Sequence, residues 1–403
     1  MIKSVFDLDT FIKTHITQRQ QSLLEQDLQN CSQIMEERIN NKSVLVIGGA
    51  GTIGSSFIKA VLKFKPSSLY VFDINENGLT ELTRDLRSST EYHIPDNYKT
   101  YPINFGDRIF EKILRRAGRF DIVANFAAHK HVRSEKDEFS VEAMLENNVL
   151  KAKTLLDLLL EFPPERFFCV STDKAANPVN LMGASKKLME EVILAYSKFI
   201  PITTARFANV AFSNGSLLQG FMERLAKKQP LSAPSDVKRY FVSAEEAGQI
   251  CLLSCVMGNS GEIFFPKLDA QTDTHTFAEI AGLFLNAHGL EANICNTEEE
   301  ARQMPALAES YPVYFFESDT SGEKAYEEFF TAGEQVDLHT FKNLGVVKNA
   351  PTKDLPEIDA IFSKLKALFE STDYNKEDIV NLIKSIIPNF SHKETGKNLD
   401  QKM

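Results

Sequence analysis

Tryptophan is absent from the 403 residues, and the five cysteines are odd in number and irregularly spaced. That excludes a disulfide framework and fits a reduced, cytoplasmic protein. No run reaches the roughly 18 apolar residues that a membrane span requires. The N-terminal MIKSVFDLDTFIKTH lacks the apolar core of a signal peptide. Positive charge is not in excess: 45 Lys and Arg oppose 55 Asp and Glu, for a net charge of −10. Without a long basic run the chain is a poor candidate for non-specific nucleic-acid binding, although a local basic pocket for a phosphorylated small molecule stays open. Residues 1–40 contain neither glycine nor proline. Leu23, Leu24, Leu28, Ile34 and Met35 recur there at near-helical spacing, which predicts a helical arm packed on the main body or on a second subunit.

What is present points to a folded chain. Hydrophobic residues at 43% and charged residues at 25% exclude a disordered or collagen-like protein, and the length suggests one to three domains. Ser43 to Gly49, SVLVIGG, is a short β-branched run ending in glycines, the pattern of a buried strand. Further strands are expected in SLYVFD, TYPIN, FDIVANFAA, RFFCVST and ITTARFANV, with helices near 79–86, 109–117, 141–160 and 184–199. Strands alternating with helices predict a doubly wound α/β fold, a parallel Rossmann sheet covered on both faces. The expected organisation is an arm over 1–40, a dinucleotide-binding domain over 41–210 and a smaller substrate-binding cap over 211–350 interleaved with that core. Two helices, near 355–369 and 376–387, then lead into a frayed tail ending at residue 403.

Between the first strand and the first helix stands Gly48-Gly49-Ala50-Gly51-Thr52-Ile53-Gly54. Glycines at 48, 51 and 54 permit a tight turn, a close approach to a pyrophosphate and close helix–strand packing. The helix N-terminus then faces the anion with unpaired N–H groups. Asp73 ends the second strand about 20 residues on, where an acid accepts hydrogen bonds from a ribose and repels a 2′-phosphate. NAD is therefore expected in preference to NADP.

This glycine spacing resembles that of the extended short-chain dehydrogenase/reductase family, and further motifs narrow the resemblance. Asn125-Phe126-Ala127-Ala128 matches the N-x-A-A turn that runs along the cofactor. Asn148 stands where the extended branch has an asparagine. Ser171-Thr172-Asp173-Lys174, Met182-Gly183-Ala184-Ser185-Lys186, the segment 128–132 around Lys130, and 321–328 resemble the polysaccharide-biosynthesis branch. Its best known members are UDP-N-acetylglucosamine 4,6-dehydratases. Many relatives carry a four-span membrane region, where this chain has its arm.

That resemblance implies a nucleotide-sugar dehydratase with bound NAD, feeding synthesis of a bacterial surface glycan, in a dimer or hexamer. Dehydration removes a hydride from carbon 4, expels water across carbons 5 and 6, and returns the hydride to carbon 6. It needs a base at carbon 5 and an acid for the departing hydroxyl. Asp173 and Lys174 can supply both from one strand end. Lys186 falls one helical turn beyond Met182, in reach of the nicotinamide ribose. Thr172 or Ser171 can hydrogen-bond the carbon-4 oxygen. Met182 replaces the family tyrosine and has no titratable proton, so Asp173 or a water is expected to take the 4-hydroxyl proton.

The resemblance also assigns substrate contacts to Lys130, Arg206, Asn209, Ser216, Arg239 and Glu323, with Arg239 on the diphosphate. Asn104 stands where relatives have an adenine-binding aspartate. Two family glycines are replaced by Ala208 and Phe212, and an Arg-Pro pair by Thr320-Ser321, so the sugar and nucleotide pocket departs from the pattern. His129 and His131 have no partners at ligand spacing, and no metal is expected. Cys169, Cys251 and Cys255 read as core residues. A 4-epimerase or 4-keto reductase, and a silent nucleotide-sugar-binding protein, are the competing functions.

Overall fold

The apolar runs form parallel strands and the segments between them form helices in the computed structural model, which describes residues 6–305, 309–318 and 327–392. β1 (Ser43–Ile47), β2 (Ser68–Phe72), β3 (Asn97–Tyr101), β4 (Ile122–Asn125), β5 (Arg166–Val170) and β6 (Ile202–Ala205) lie in the order β3-β2-β1-β4-β5-β6. Every pairing among them is parallel. Helices cover both faces, which is why β1, β2, β4 and β5 read as continuous apolar runs rather than alternating ones. The fold is the doubly wound α/β fold anticipated from the sequence. Its strand order reverses between β1 and β4, which opens a crevice at their C-terminal ends.

Nine further strands follow: β7 (Asn209–Val210), β8 (Leu231–Pro234), β9 (Lys238–Val242), β10 (Glu262–Pro266), β11 (Thr274–Thr276), β12 (Glu291–Cys295), β13 (Ser310–Phe316), β14 (Val336–Asp337) and β15 (Leu344–Val347). Three of them extend the main sheet. β10 pairs in parallel with β6, β15 runs antiparallel to β10, and β14 closes the edge. The others form two three-stranded sheets, β11-β9-β7 and β12-β13-β8, around a second core that includes Phe221, Phe241, Phe284 and Val313.

Two strand expectations are corrected. ITTARFANV is not one strand: β6 stops at Ala205, the Arg206 N–H bonds the Phe264 carbonyl, and Asn209–Val210 pairs with β9 instead. TYPIN is a strand only to Tyr101, because Pro102 has no N–H to donate.

The arm lies on its own chain. Leu24, Met35 and Ile39 enter the main core, while Phe11, Ile12 and Ile16 enter the second. At the C-terminus, helices Leu355–Phe369 and Lys376–Ile386 start from capping boxes at Asp354/Glu357 and Asn375/Asp378. They pack on helices Leu181–Ala195 and Glu138–Leu145. Of the tail expected to fray, 391–403, residues 393–403 lie outside the described residues. No helix among the described residues is long and apolar enough to cross a membrane.

Arg19 joins the arm to the body. Its Nε donates to Glu246 at 3.0 Å and its Nη1 to Asp273 at 2.6 Å, and Glu246 also closes the capping box of helix Ala244–Met257. The three side chains are largely buried, so deleting the guanidinium leaves two shielded carboxylates. Arg19→Ala is expected to lower stability by about 3 kcal/mol. Arg115→Ala, which removes an exposed ion pair with Glu161, is expected to leave the unfolding midpoint nearly unchanged. Urea unfolding of both variants checks this, and equal midpoint shifts would refute it.

Candidate active site

A cavity of about 980 Å³ opens at the C-terminal ends of β1, β4 and β5 and reaches across to the two small sheets, within the size range of small-molecule sites. The glycine loop forms one end. Gly48 has φ +76°, and a Cβ there would sit 2.5 Å from the Ala127 nitrogen. A Cβ on Gly54 would sit 2.2 Å from the Gly48 carbonyl oxygen. These two glycines are dictated by protein packing. At Gly51 a Cβ would meet only the Gly48 oxygen, at 3.6 Å. Gly51 heads helix Thr52–Leu62 with no side-chain cap, which suits the first-turn N–H groups to an anionic ligand.

The same end carries the adenosine-side candidates. Asp73 accepts from the Ala50 and Asn75 N–H groups at 3.0 and 2.9 Å, and its carboxylate has lone pairs left for ribose hydroxyls. Asn104 spends its carbonyl oxygen on the Gly106 N–H. Both line the cavity, as do Thr52, Ile53, Ala127 and Ala128. These residues fit a dinucleotide.

The middle of the cavity is built on the end of β5. Thr172 caps the short turn Asp173–Ala175, and its hydroxyl donates to the Asp173 carboxylate at 2.7 Å. The Lys174 ammonium lies 3.2 and 3.3 Å from the two Asp173 oxygens. Burial works against the charged form of Lys174, but the carboxylates of Asp173 and Glu327 outweigh it and hold the ammonium above its ordinary range. Before any ligand arrives, the two residues form an ion pair.

Met182 sits buried on the cavity wall, in the first turn of helix Leu181–Ala195. Its N–H donates to Glu135 at 2.9 Å. One turn on, the Lys186 ammonium donates to the Val170 carbonyl at 2.7 Å and touches the Met189 sulfur at 3.2 Å. Burial pulls its pKa below the ordinary value. Asn148 lies where the preceding helix widens into a π-turn, Glu146–Leu150, a device common near functional sites. Its carboxamide bonds both backbone groups of His129 and the Ser185 hydroxyl, which in turn donates to the Met182 carbonyl.

Facing the glycine loop, Lys130 donates to the Asn214 carbonyl at 2.9 Å, and the Asn214 N–H donates to the Thr52 hydroxyl. Ser216 caps helix Leu217–Ala226. Arg239 is buried, with Nη1 on the Lys238 carbonyl. Asn209 donates to Glu327 at 2.5 Å. Phe212 holds φ +54°, a costly conformation for a bulky residue. Its ring is buried against Phe11 of the arm and Phe284 of the second core, which accounts for an aromatic residue where relatives carry glycine. Glu323 and Thr320-Ser321 lie outside the described residues.

Glu327 falls in the 321–328 motif, but sequence reading gave it no role. Its oxygens accept from Asn209 and from the Tyr240 N–H, and it lines the cavity with Asp173, Lys174 and Arg239. Burial and the Asp173 charge push its pKa up to about 7 against the pull of Lys174, the Tyr240 N–H and Arg239. It stands four positions past Glu323 in the same run of sequence, the one local signal that it belonged to the site.

Arg206 requires a correction. Expected on the substrate, it is instead 0% exposed and absent from the cavity wall. Its guanidinium is gripped by Glu190 at 2.8 Å, Glu334 at 2.8 Å and the Phe329 carbonyl at 2.9 Å. Ser171 reaches the cavity wall, but its hydroxyl donates to Glu190 at 2.6 Å, which turns it toward this network. Arg206→Met leaves two buried carboxylates unpaired, for an expected loss of about 3–5 kcal/mol. Thermal unfolding checks it: a variant with wild-type stability but weakened ligand binding would restore Arg206 to the substrate.

Comparison with known proteins follows this geometry. An uncharacterized membrane protein of Methanocaldococcus jannaschii is 29% identical over 352 residues, 86% of this chain and 96% of its own length. An inverting UDP-N-acetylglucosamine 4,6-dehydratase of Campylobacter jejuni is 27% identical over 246 residues, 59% of this chain and 70% of its own length. The chain spans only 38% and 39% of two further relatives, polysaccharide biosynthesis proteins of Bacillus subtilis and Staphylococcus aureus. Among solved structures, that of Pen from Bacillus thuringiensis superposes with a TM-score of 0.63 at 20% identity, covering 78% of this chain and 89% of that one. Residues 44–349, from β1 through β15 and so the whole cavity, match the polysaccharide biosynthesis protein family, and the chain belongs to that family.

Proposed function

We propose that the chain is a nucleotide-sugar 4,6-dehydratase that uses NAD and acts on UDP-N-acetylglucosamine. One observation carries this reading: the Asp173–Lys174 pair shares a single cavity with a dinucleotide-fitting glycine loop and stands beside Met182 rather than a tyrosine. A carboxyl and an amine side by side are what an elimination needs and what a simple hydride exchange does not. The relatives named as UDP-N-acetylglucosamine 4,6-dehydratases support the same substrate.

Bound NAD would accept a hydride from carbon 4 of the sugar and return it to carbon 6 within one turnover. Gly48, Gly51, Thr52, Ile53, Gly54, Asp73, Asn104, Ala127 and Ala128 would hold it, with Lys186 beside the nicotinamide ribose. Arg239 and Lys130 supply positive charge for the diphosphate. The Thr172 hydroxyl, which donates to Asp173 in the ligand-free site, would turn to donate to the carbon-4 oxygen as it becomes a carbonyl. Asp173 protonates the departing 6-hydroxyl, and Lys174 takes the proton from carbon 5. In the resting ion pair the proton is on Lys174, so it crosses the 3.2 Å contact to Asp173 before the elimination begins.

Purified protein incubated with UDP-N-acetylglucosamine and no reductant is expected to yield a product lighter by about 18 mass units, with no net change in NAD. Asp173→Asn and Lys174→Ala are each expected to slow water loss by about 10²–10⁴-fold while NAD stays bound. Mass spectrometry and NAD fluorescence check both. A product of unchanged mass but altered stereochemistry would mark an epimerase, and blanks across a panel of nucleotide sugars would mark a binding protein.

A further inference from the structure

Met182 can neither take nor give a proton, and if the 4-hydroxyl proton stayed on the Asp173–Lys174 ion pair both groups would be protonated, leaving no base for carbon 5. A third titratable group is needed, and Glu327 stands on the same cavity wall. Asn209 and the Tyr240 N–H fix its two oxygens at 2.5 and 2.9 Å. The charged groups facing it are Asp173 and Lys174 from the turn after β5, and Arg239 of β9, whose Nε lies 4.0 Å from its Oε1. The neighbouring Glu328 turns away to Asn177. Asp173, Glu327 and Arg239 are all buried. Repulsion between two buried carboxylates raises the proton affinity of one of them, in keeping with the raised pKa of Glu327, so its carboxylate is a ready acceptor for one proton.

We propose that Glu327 is the proton store of the site, resting on the dehydratase reading above: it holds the 4-hydroxyl proton while Asp173 and Lys174 work, and refills them afterwards. The protons balance. The O–H bond at carbon 4 breaks and its proton comes to rest on Glu327, while Lys174 passes its own proton to Asp173. The C5–H and C6–O bonds then break as a C5–C6 double bond forms. Lys174 takes the carbon-5 proton, and the hydroxyl leaves as water with the proton from Asp173. Lys174 returns its proton to carbon 5. Carbon 4 is oxidised and carbon 6 reduced by the same hydride, so the electrons close within the substrate. Glu327 finally gives its proton to Lys174, and the ion pair is restored. Glu327 acts on the reaction through that pair, as a positioning residue for protons.

The test pairs kinetics with infrared titration of the full-length protein. Glu327→Gln is expected to lower kcat by about 10²-fold, leave KM for UDP-N-acetylglucosamine nearly unchanged and remove the limb of the pH–rate profile near neutrality. In the wild type a protonated-carboxyl C=O stretch is expected to titrate near pH 7, to vanish in Glu327→Gln and to move to lower pH in Asp173→Asn, where the repelling charge is gone. The Asp173→Asn titration keeps the test decisive even if Glu327→Gln fails to fold. A working dehydratase whose Glu327→Gln variant keeps wild-type rate and pH profile, or whose carboxyl band ignores Asp173→Asn, overturns the store alone. A wild-type protein that dehydrates no nucleotide sugar overturns the dehydratase reading, and with it the catalytic role of the store.

Discussion

The ion network around Arg206 is the constraint on which the site depends. One guanidinium with no exposure is held by Glu190 and Glu334, themselves 1% and 3% exposed. Three charges cannot leave water at so little cost unless they compensate one another in good geometry. The network therefore fixes three separate segments at once: helix Leu181–Ala195 through Glu190, the end of β6 through Arg206 itself, and the stretch around Phe329 and Glu334. Each segment carries site residues. Met182 and Lys186 ride on the helix, Asn209 follows Arg206, and Glu327 precedes Phe329. Ser171 bonds Glu190 directly, which anchors the strand end that bears Asp173 and Lys174.

Met182 redistributes the chemistry around this frame. A tyrosine would join proton transfer to the hydride site through a single side chain. A thioether cannot, so in the proposed reaction acid and base duties fall on the β5 end and its neighbours. The result is a cavity with charge of both signs in close contact: Asp173 with Lys174, and Glu327 with Arg239. Phe212 shows a second accommodation. A left-handed backbone that glycine would adopt freely is held here by an aromatic ring, and the burial of that ring against Phe11 links the cavity wall to the N-terminal arm.

Much of the fold and of the cofactor end was legible in the sequence because the signals there are local. Gly48, Gly51, Gly54 and Asp73 lie within one strand–helix–strand unit, and β1, β2, β4 and β5 announce themselves as apolar runs. Asp173 and Lys174 are adjacent, so their partnership needed no knowledge of the fold. Arg206 misled because its partners are distant: Glu334 is 128 positions away. An arginine beside a strand end looks the same whether it faces a phosphate or a buried carboxylate. Glu327 was missed for the same reason, since Asn209 and Tyr240 reach it across 118 and 87 positions. The strands β10, β14 and β15 join the main sheet with strands of two small sheets interleaved before and between them, so alternation along the chain could not announce them.

That separation also sets an order in time. At about 5–20 residues per second, a ribosome that has just made Arg206 needs roughly 6–25 s to reach Glu334, 128 residues later. For roughly the first half of that interval β6 is an open edge, until β10 is made, and β10 is then the open edge until β14 and β15 arrive; open edges invite wrong pairing. Arg206 has only Glu190 to hold it. The glycine loop and the β5 end can both be in place, yet the cavity lacks the wall that Glu327 supplies. On the proposed function, a nascent chain would be competent to grip a dinucleotide well before it was competent for sugar chemistry, and cofactor bound during synthesis would stabilise the half-built sheet at the stage when it is most exposed.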